Sequence, residues 1–486
     1  MTAMKLSVVF IVFIGIVGMA QADWEALAPG IDYQEFTVSG PNNCFVARMD
    51  RSNPDCLIDS CLGRGELIFG TETVSGMANR YEGAVNYWGQ SWGSTNDVVV
   101  AINGDFWDTT LGQPQSGHIS SGWYVKRFTN YTGGSGFVWQ LDGDAYIGGC
   151  VTHTSSRQKV QYLSTGQDQN FNGINSAREN DQLVIYTPQY NEHTNTDTSG
   201  SEVLVRMSRP MLIMPTPNYA RGTVVEVRQN LGSTPIPFDC IVLSAKGSAE
   251  TKLLANVSVG AEVGISQEIT DYESDCSTPG GRDWTKTYAA IGGSFYFLKD
   301  GVVQSSTDPG ATDRHPRTAV AFNENYIFFI VVDGRSSISV GMSMSEIGNF
   351  CKNTLGATEG LNQDGGGSSA MWVDGEIKNV PSDGAERATY NGLMMIRNQP
   401  IVQSPRLSTG RTVEVRSGTT LRLGPGTHYG EAASVSTGQQ GQVVEHALNG
   451  VTAEGQSWWY CQFGSATGWL SESALTSHAP HWETYR

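Results

Sequence analysis

Asp364 opens the run Asp364-Gly365-Gly366-Gly367-Ser368-Ser369, which sets one carboxylate beside three residues without side chains and two hydroxyls. Successive glycine amides, unshielded by Cβ atoms, can close around an anion, and phosphate is the natural guest. A carboxylate next to such a nest is electrostatically awkward unless it addresses another part of the ligand, such as a sugar carbon or a metal. The plain alternative is a glycine-rich bend with a surface Asp. Arg317 could grip phosphate with its planar fork, or be an ordinary surface cation. Asn103-Gly104-Asp105 follows the apolar run 98–102 and so falls at a strand end, where ligand groups collect, although a simple turn reads equally well. His118 and His315 titrate in the range useful for acid or base work; most such histidines are structural or solvated.

These side chains need elements to hold them. Apolar runs at 318–322 and 326–332 flank Asn323-Glu324-Asn325, which predicts a hairpin. If Phe322 faces Tyr326, Arg317 lies opposite Val331 and diagonal to Asp333; a slip of register would move Arg317 to the other face. Ser343 with Glu346 three residues on forms a capping box, and Ile347, Phe350, Cys351 and Leu355 continue at helical spacing to Gly356. A third strand at 357–363 then delivers the chain into Asp364. Strand, helix, strand predicts a crossover between parallel strands, which puts Asp333 and Asp364 on one rim with Arg317 nearby. Met371-Trp372-Val373 and Glu376-Ile377-Lys378 around Asp374-Gly375 predict a second, tighter hairpin.

The segments AINGDFW, HPRTAVAF, VVDGRS, LNQDGGGSSAMWVDGEIKN and VPSDGAERATYNGL occur in that order. Together they resemble the motif series of the phosphodiester glycosidase family, over roughly residues 24–395 and most strongly over 289–395. The resemblance implies an α/β (α+β) domain of mixed sheets, here β-rich, with a cleft lined by the motif residues. It implies a hydrolase that cleaves the glycosidic bond of a sugar-1-phosphodiester, with α-linked N-acetylglucosamine or a related sugar as donor. Transferred by position, the site comprises Asn103, Arg317, Asp333, Asp364, Ser368, Ser369 and Arg387. Arg317 and the amides of Gly365, Gly366 and Gly367 would hold phosphate. Asp364 or Asp333 would act as nucleophile, base or electrostatic stabiliser of an oxocarbenium-like transition state. The chain departs from the family at Gln363, where Leu is common, and at Asn103-Gly104-Asp105, where a further Gly is common. Beyond 399–409, a polar, Pro-containing stretch that reads as a linker, the runs LRLGPGTHY, Trp458-Trp459-Tyr460-Cys461 and Thr467-Gly468-Trp469-Leu470 resemble the bacterial SH3-like domain. That resemblance implies a small barrel able to bind a cell-wall polymer.

Composition sets the remaining bounds. Lys5, the apolar run 6–20 and Ala20-Gln21-Ala22 read as a secretory leader, 1–22, which implies a secreted, periplasmic or extracellular protein with no transmembrane anchor. The division expected is a catalytic domain at 23–398, the linker at 399–409, the SH3-like unit at 410–476 and a tail at 477–486. A net charge of -17 without a basic run argues against nucleic acid. Export permits disulfides among the eight Cys. Seven precede the linker, so Cys461 either bridges the two units or stays free together with one other; two free thiols are expected. Asn130-Tyr131-Thr132 and Asn256-Val257-Ser258 are glycosylation sequons. No cofactor is expected, and no Asp-rich loop of regular spacing supports Ca²⁺. The rival functions are a phosphodiesterase that cuts the P–O bond and a non-catalytic wall- or glycan-binding protein. With all candidate residues before the linker, a protein ending near Ser408 is expected to fold and act alone.

Overall fold

The computed structural model describes residues 23–89, 91–128, 136–148, 150–272, 277–278 and 280–477. The leader at 1–22, the sequon at Asn130 and the tail beyond 477 lie outside the described residues.

The expected hairpin, helix and crossover all form within one eight-stranded sheet. Its central strands run in the order Asn42–Asp50, Tyr326–Val332, Arg317–Phe322, Glu359–Asn362, Phe295–Lys299. Tyr326–Val332 and Glu359–Asn362 are both antiparallel to Arg317–Phe322, so they are parallel to each other with that strand inserted between them. Their C-terminal ends therefore share an edge with Arg317. Both faces of the sheet are covered, which is why these strands read as continuous apolar runs rather than alternating ones. On one face Val320, Phe329, Val331 and Leu361 meet Val100, Ile102, Met394 and Ile396 of a six-stranded sheet built on Ser91–Asn103 and Asn391–Pro400. On the other, Ala319, Ala321 and Ile330 meet Ile347 and Phe350 of the helix Met344–Asn353. The helix carries the complete Ser343–Glu346 capping box, and Glu346 also accepts from Arg314 Nε at 3.1 Å, a structural use of that carboxylate.

The hairpin register differs by one residue from the expected one. Phe322 pairs with Ile327, and Arg317 with Val332. Asn323 is responsible: its N–H donates to Tyr326 O at 3.0 Å, and its side-chain oxygen accepts from the N–H groups of Asn325 and Tyr326. Asn323 thus faces Tyr326, which moves Arg317 onto the helix-covered face with Ala319 and Ala321. The second hairpin forms as expected, with Asp374 and Gly375 both at positive φ.

Further sheets of five and eight strands share a second core that includes Trp123, Tyr162, Ile241 and Ile265. The C-terminal eight strands form an antiparallel sheet whose strand order does not close into a ring. It is packed on the body rather than tethered to it. Phe238 of the body sits between Trp92 and the C-terminal rings of Tyr429, His446 and Trp469. The stretch 399–409 is anchored along its length: Gln399 and Pro400 end a body strand, Ser404 N donates to Gly450 O at 2.8 Å, and Leu407 is buried in the C-terminal core. Cys44, Cys56, Cys61, Cys240, Cys351 and Cys461 are all free and buried, so the expectation of only two free thiols does not hold. Each of the six is packed in the apolar interior. Among the described residues no helix is long and apolar enough to cross a membrane.

Candidate functional site

A cavity of about 580 Å³ opens at the strand edge shared by Arg317 and Asp364, with His315, Arg335, Gly365 and Gly366 also in its wall. Asp364 lies two residues past the end of the strand Glu359–Asn362, and its backbone is pinned from behind: its N–H donates to Gly104 O at 2.8 Å, and its carbonyl accepts from Asn103 Nδ2 at 2.7 Å. Asn103 is fully buried, and its Oδ1 accepts from Thr318 Oγ1 and Ala370 N. It therefore ties the ends of the strands Ser91–Asn103 and Arg317–Phe322 to Asp364 and Ala370 beneath the cavity, and so positions Asp364. Burial raises the Asp364 carboxyl above the usual carboxylate range, while the Ser368 hydroxyl, the Gly365 N–H and the Arg387 charge pull it back down.

Arg317 is 5% exposed and donates to three backbone carbonyls, Nε to Met342 O at 2.7 Å and Nη2 to Gly310 O at 2.8 Å and Asp313 O at 2.7 Å. No carboxylate pairs with it among the described residues. Burial lowers its pKa to about 10, so it is still a cation at neutral pH. Nη1 has no acceptor among the described residues, which leaves a fixed positive donor at the cavity wall. The pKa of His315 is lowered by partial burial and then by the charges of Arg317 and Arg335, against Asp313, so the ring is neutral at pH 7.

The glycines are used for closeness more than for their amides. A Cβ on Gly365 would stand 2.7 Å from Pro316 O, one on Gly366 (φ 64°) 2.9 Å from Arg335 Nη2, and one on Gly367 2.2 Å from Asp383 Oδ2. Gly366 N donates to Pro316 O, and the Gly365 N–H serves the Asp364 carboxylate. Only Gly367 N is left without an acceptor among the described residues.

The other sequence candidates lie behind this wall. Ser368 is fully buried and 3.4 Å from Arg387 Nη1, whose guanidinium pairs with Asp383. Ser369 is buried, and its hydroxyl has no partner among the described residues. Asp333 does reach the same edge of the sheet, but its carboxylate accepts from Val380 N at 3.0 Å and Asn379 Nδ2 at 3.3 Å and does not border the cavity. It holds the 379–380 loop. His118 is fully buried between Ser60 and Asn391, its pKa lowered to about 3 by desolvation, which suits a structural role. Gln363 is fully buried, and neither amide atom has a partner among the described residues.

Sequence reasoning passed over Arg335, Asn362, Phe106 and Phe295, which also line the cavity. Arg335 had a signal, since it follows Asp333-Gly334 within one of the motifs. Asn362 immediately precedes Gln363. Phe106 had the same kind of signal, as the residue after Asp105 in AINGDFW, whereas Phe295 carried none. Among the described residues no group of three or more His, Cys, Asp or Glu is placed to hold a metal ion.

The sequence of residues 221–396 matches the family model described as phosphodiester glycosidase. Those residues belong to the phosphodiester glycosidase family. It is a family of hydrolases acting on phosphodiester-linked sugars. The phosphodiester glycosidase region contains Arg317, Asp333, Asp364 and Arg387, whereas Asn103 comes from outside it. No curated protein matches the chain. Among solved structures it is similar to a hypothetical protein from Synechocystis, at 16% identity and a TM-score of 0.46, over 76% of this chain and 62% of that one. It is also similar to the zebrafish N-acetylglucosamine-1-phosphodiester alpha-N-acetylglucosaminidase catalytic domain auto-inhibited by pro-peptide. There the identity is 14% and the TM-score 0.37, over 75% of this chain and 81% of that one. This chain thus spans less than two thirds of the Synechocystis chain.

Proposed function

We propose that the protein is a secreted hydrolase that cleaves the sugar–oxygen bond of a sugar-1-phosphodiester, with α-linked N-acetylglucosamine or a related sugar as donor. The observation that carries this reading is the placement of Asp364, a carboxylate with a raised pKa, in one cavity with the uncompensated guanidinium of Arg317. The phosphodiester binds against Arg317 Nη1 and Arg335. Its negative charge is neutralised there, and phosphate is stabilised as it leaves, so little proton donation is required. The anomeric carbon then lies toward Asp364, which stabilises the developing positive charge or attacks it. Asn103 keeps Asp364 at the edge, and neutral His315 can relay a proton to or from water. The N-terminal run reads as the export leader, and residues 410–476 read as an SH3-like unit that holds the enzyme near a wall polymer.

The test is product analysis with purified mature protein and an α-linked N-acetylglucosamine-1-phosphodiester. Free sugar is the expected product, and Arg317→Ala should both raise KM and lower kcat. Sugar phosphate as the sole product would assign P–O cleavage instead. No turnover across several sugars would leave the binding-protein reading.

A further inference from the structure

We infer that the groove between the body and the C-terminal sheet is a second binding site, for a phosphate-bearing glycan chain; the choice of phosphate rests on the function proposed above. The groove, about 500 Å³, is separate from the cavity of Asp364 and shares no residue with it. Its size falls within the several-hundred Å³ typical of ligand sites, roughly 300–1,000 Å³. Arg206 and Arg228 approach from the body and Arg422 from the C-terminal sheet, while Glu226 is the one carboxylate in the lining. In a chain of net charge -17 this is a local reversal of sign.

The three cations are held differently. Arg206 lies 3.1 Å from Asp239 and Arg228 3.1 Å from Glu226, so both are fixed in place and partly neutralised. Arg422 donates Nη1 to the neutral Tyr429 carbonyl at 3.2 Å and has no carboxylate partner among the described residues. Glu431 stands opposite it in the neighbouring strand but makes no ion pair with it, so the guanidinium is oriented by a neutral carbonyl and can still take a phosphate oxygen pair. Beside it Pro235 and Pro237 line the groove with apolar surface for sugar rings, next to Tyr460, whose ring packs against Arg206, His446 and Trp469. Anion-binding and ring-stacking surfaces side by side suit a glycan whose sugars alternate with phosphate. A polymer seated here would tether the enzyme to further bonds of the same kind without altering the chemical step.

The experiment titrates the full mature chain with a glycerol-phosphate hexamer, which has no glycosidic bond to cut, and with chitohexaose and a uronic acid hexamer as uncharged and carboxylate controls. Binding of the phosphate oligomer should weaken roughly five- to tenfold in Arg422→Ala and less in Arg422→Lys, and should fall with added salt, as expected for charge-assisted contacts. Arg422→Ala should hydrolyse a small soluble sugar phosphodiester at the wild-type rate. Arg228→Ala, on a different element, provides the second variant, with a thermal melt to confirm folding of both. Wild-type affinity in folded Arg422→Ala and Arg228→Ala would overturn the site, and equal binding of chitohexaose or of the uronate would overturn the phosphate assignment. Arg422-dependent binding in a protein that cleaves no sugar phosphodiester would sink the proposed activity and leave this site standing.

Discussion

Removing the C-terminal sheet should unfold the body rather than free it. Phe238 is 3% exposed, and its ring centroid lies 5.7 Å from Tyr429, 6.0 Å from Trp469 and 6.2 Å from His446, all C-terminal, against 5.3 Å from Trp92 in the body. Val85 and Trp92 belong to the same cluster. A chain ending at Ser408 exposes these three apolar side chains, each worth about 1.5–3 kcal/mol of burial, for a total on the order of 6 kcal/mol. Buried Asp239 also loses its contact with His446 Nε2 at 3.1 Å, and Phe238 N loses its acceptor, Leu423 O at 3.0 Å. Since domains are stable by only about 5–15 kcal/mol, the truncated chain should aggregate or melt far below the full one. Phe238→Ala in the full chain is the milder version, with an expected loss of about 3–5 kcal/mol. Size-exclusion chromatography and thermal melts, read alongside turnover of a small substrate, decide the matter. A truncated protein that is monomeric, melts where the full chain does and keeps its kcat would refute the reasoning and restore an independently folding catalytic unit.

Other expectations follow from individual groups. Asp364→Asn keeps the shape of a side chain that Ser368 and Gly365 already hold, so the fold should survive while kcat falls by roughly 10²–10³; because the Asp364 pKa is raised, the acid limb of the wild-type pH–rate profile should lie above the ordinary carboxylate range, and an acid limb at or below that range would remove Asp364 as the titrating group. Asp59 and Asp105 are fully buried carboxyls raised to about 7 by desolvation, so each favours the folded state below its unfolded pKa and loses that contribution as pH rises through about 7. Resistance to urea should therefore fall between about pH 4 and 7, by up to several kcal/mol, and Asp105→Asn should flatten that slope; equal slopes in mutant and wild type would argue against it. Thiol titration should find no fast-reacting group among the six buried cysteines in the native protein, since burial pushes Cys56 and Cys461 up to about 12 and the others upward too, and at least six thiols after denaturation without reductant. Fewer than six would mean bridges that the structure does not contain.

Much of the site's framework was legible because it is local. The capping box at Ser343, the Asp374-Gly375 turn and the strand–helix–strand order all depend on neighbours within a few residues, and these placed Arg317, Asp333 and Asp364 on one edge. The ordered motifs identified the family of residues 221–396 for the same reason, since they are strings of adjacent residues. Tertiary structure decided which of these groups face the cavity. A single side chain, Asn323, set the hairpin register and so the face that Arg317 occupies. Asp333 was turned to the 379–380 loop by an N–H contributed from 47 residues further along the chain, and no spacing rule reaches that far. Arg335 entered the cavity through its contact with Gly366, which exists only after the chain has closed. The sequence likewise contained Phe238 and Trp469, but their role as the joint between the two units arises from packing between residues more than 200 positions apart, where burial is decided by shape and not by pattern.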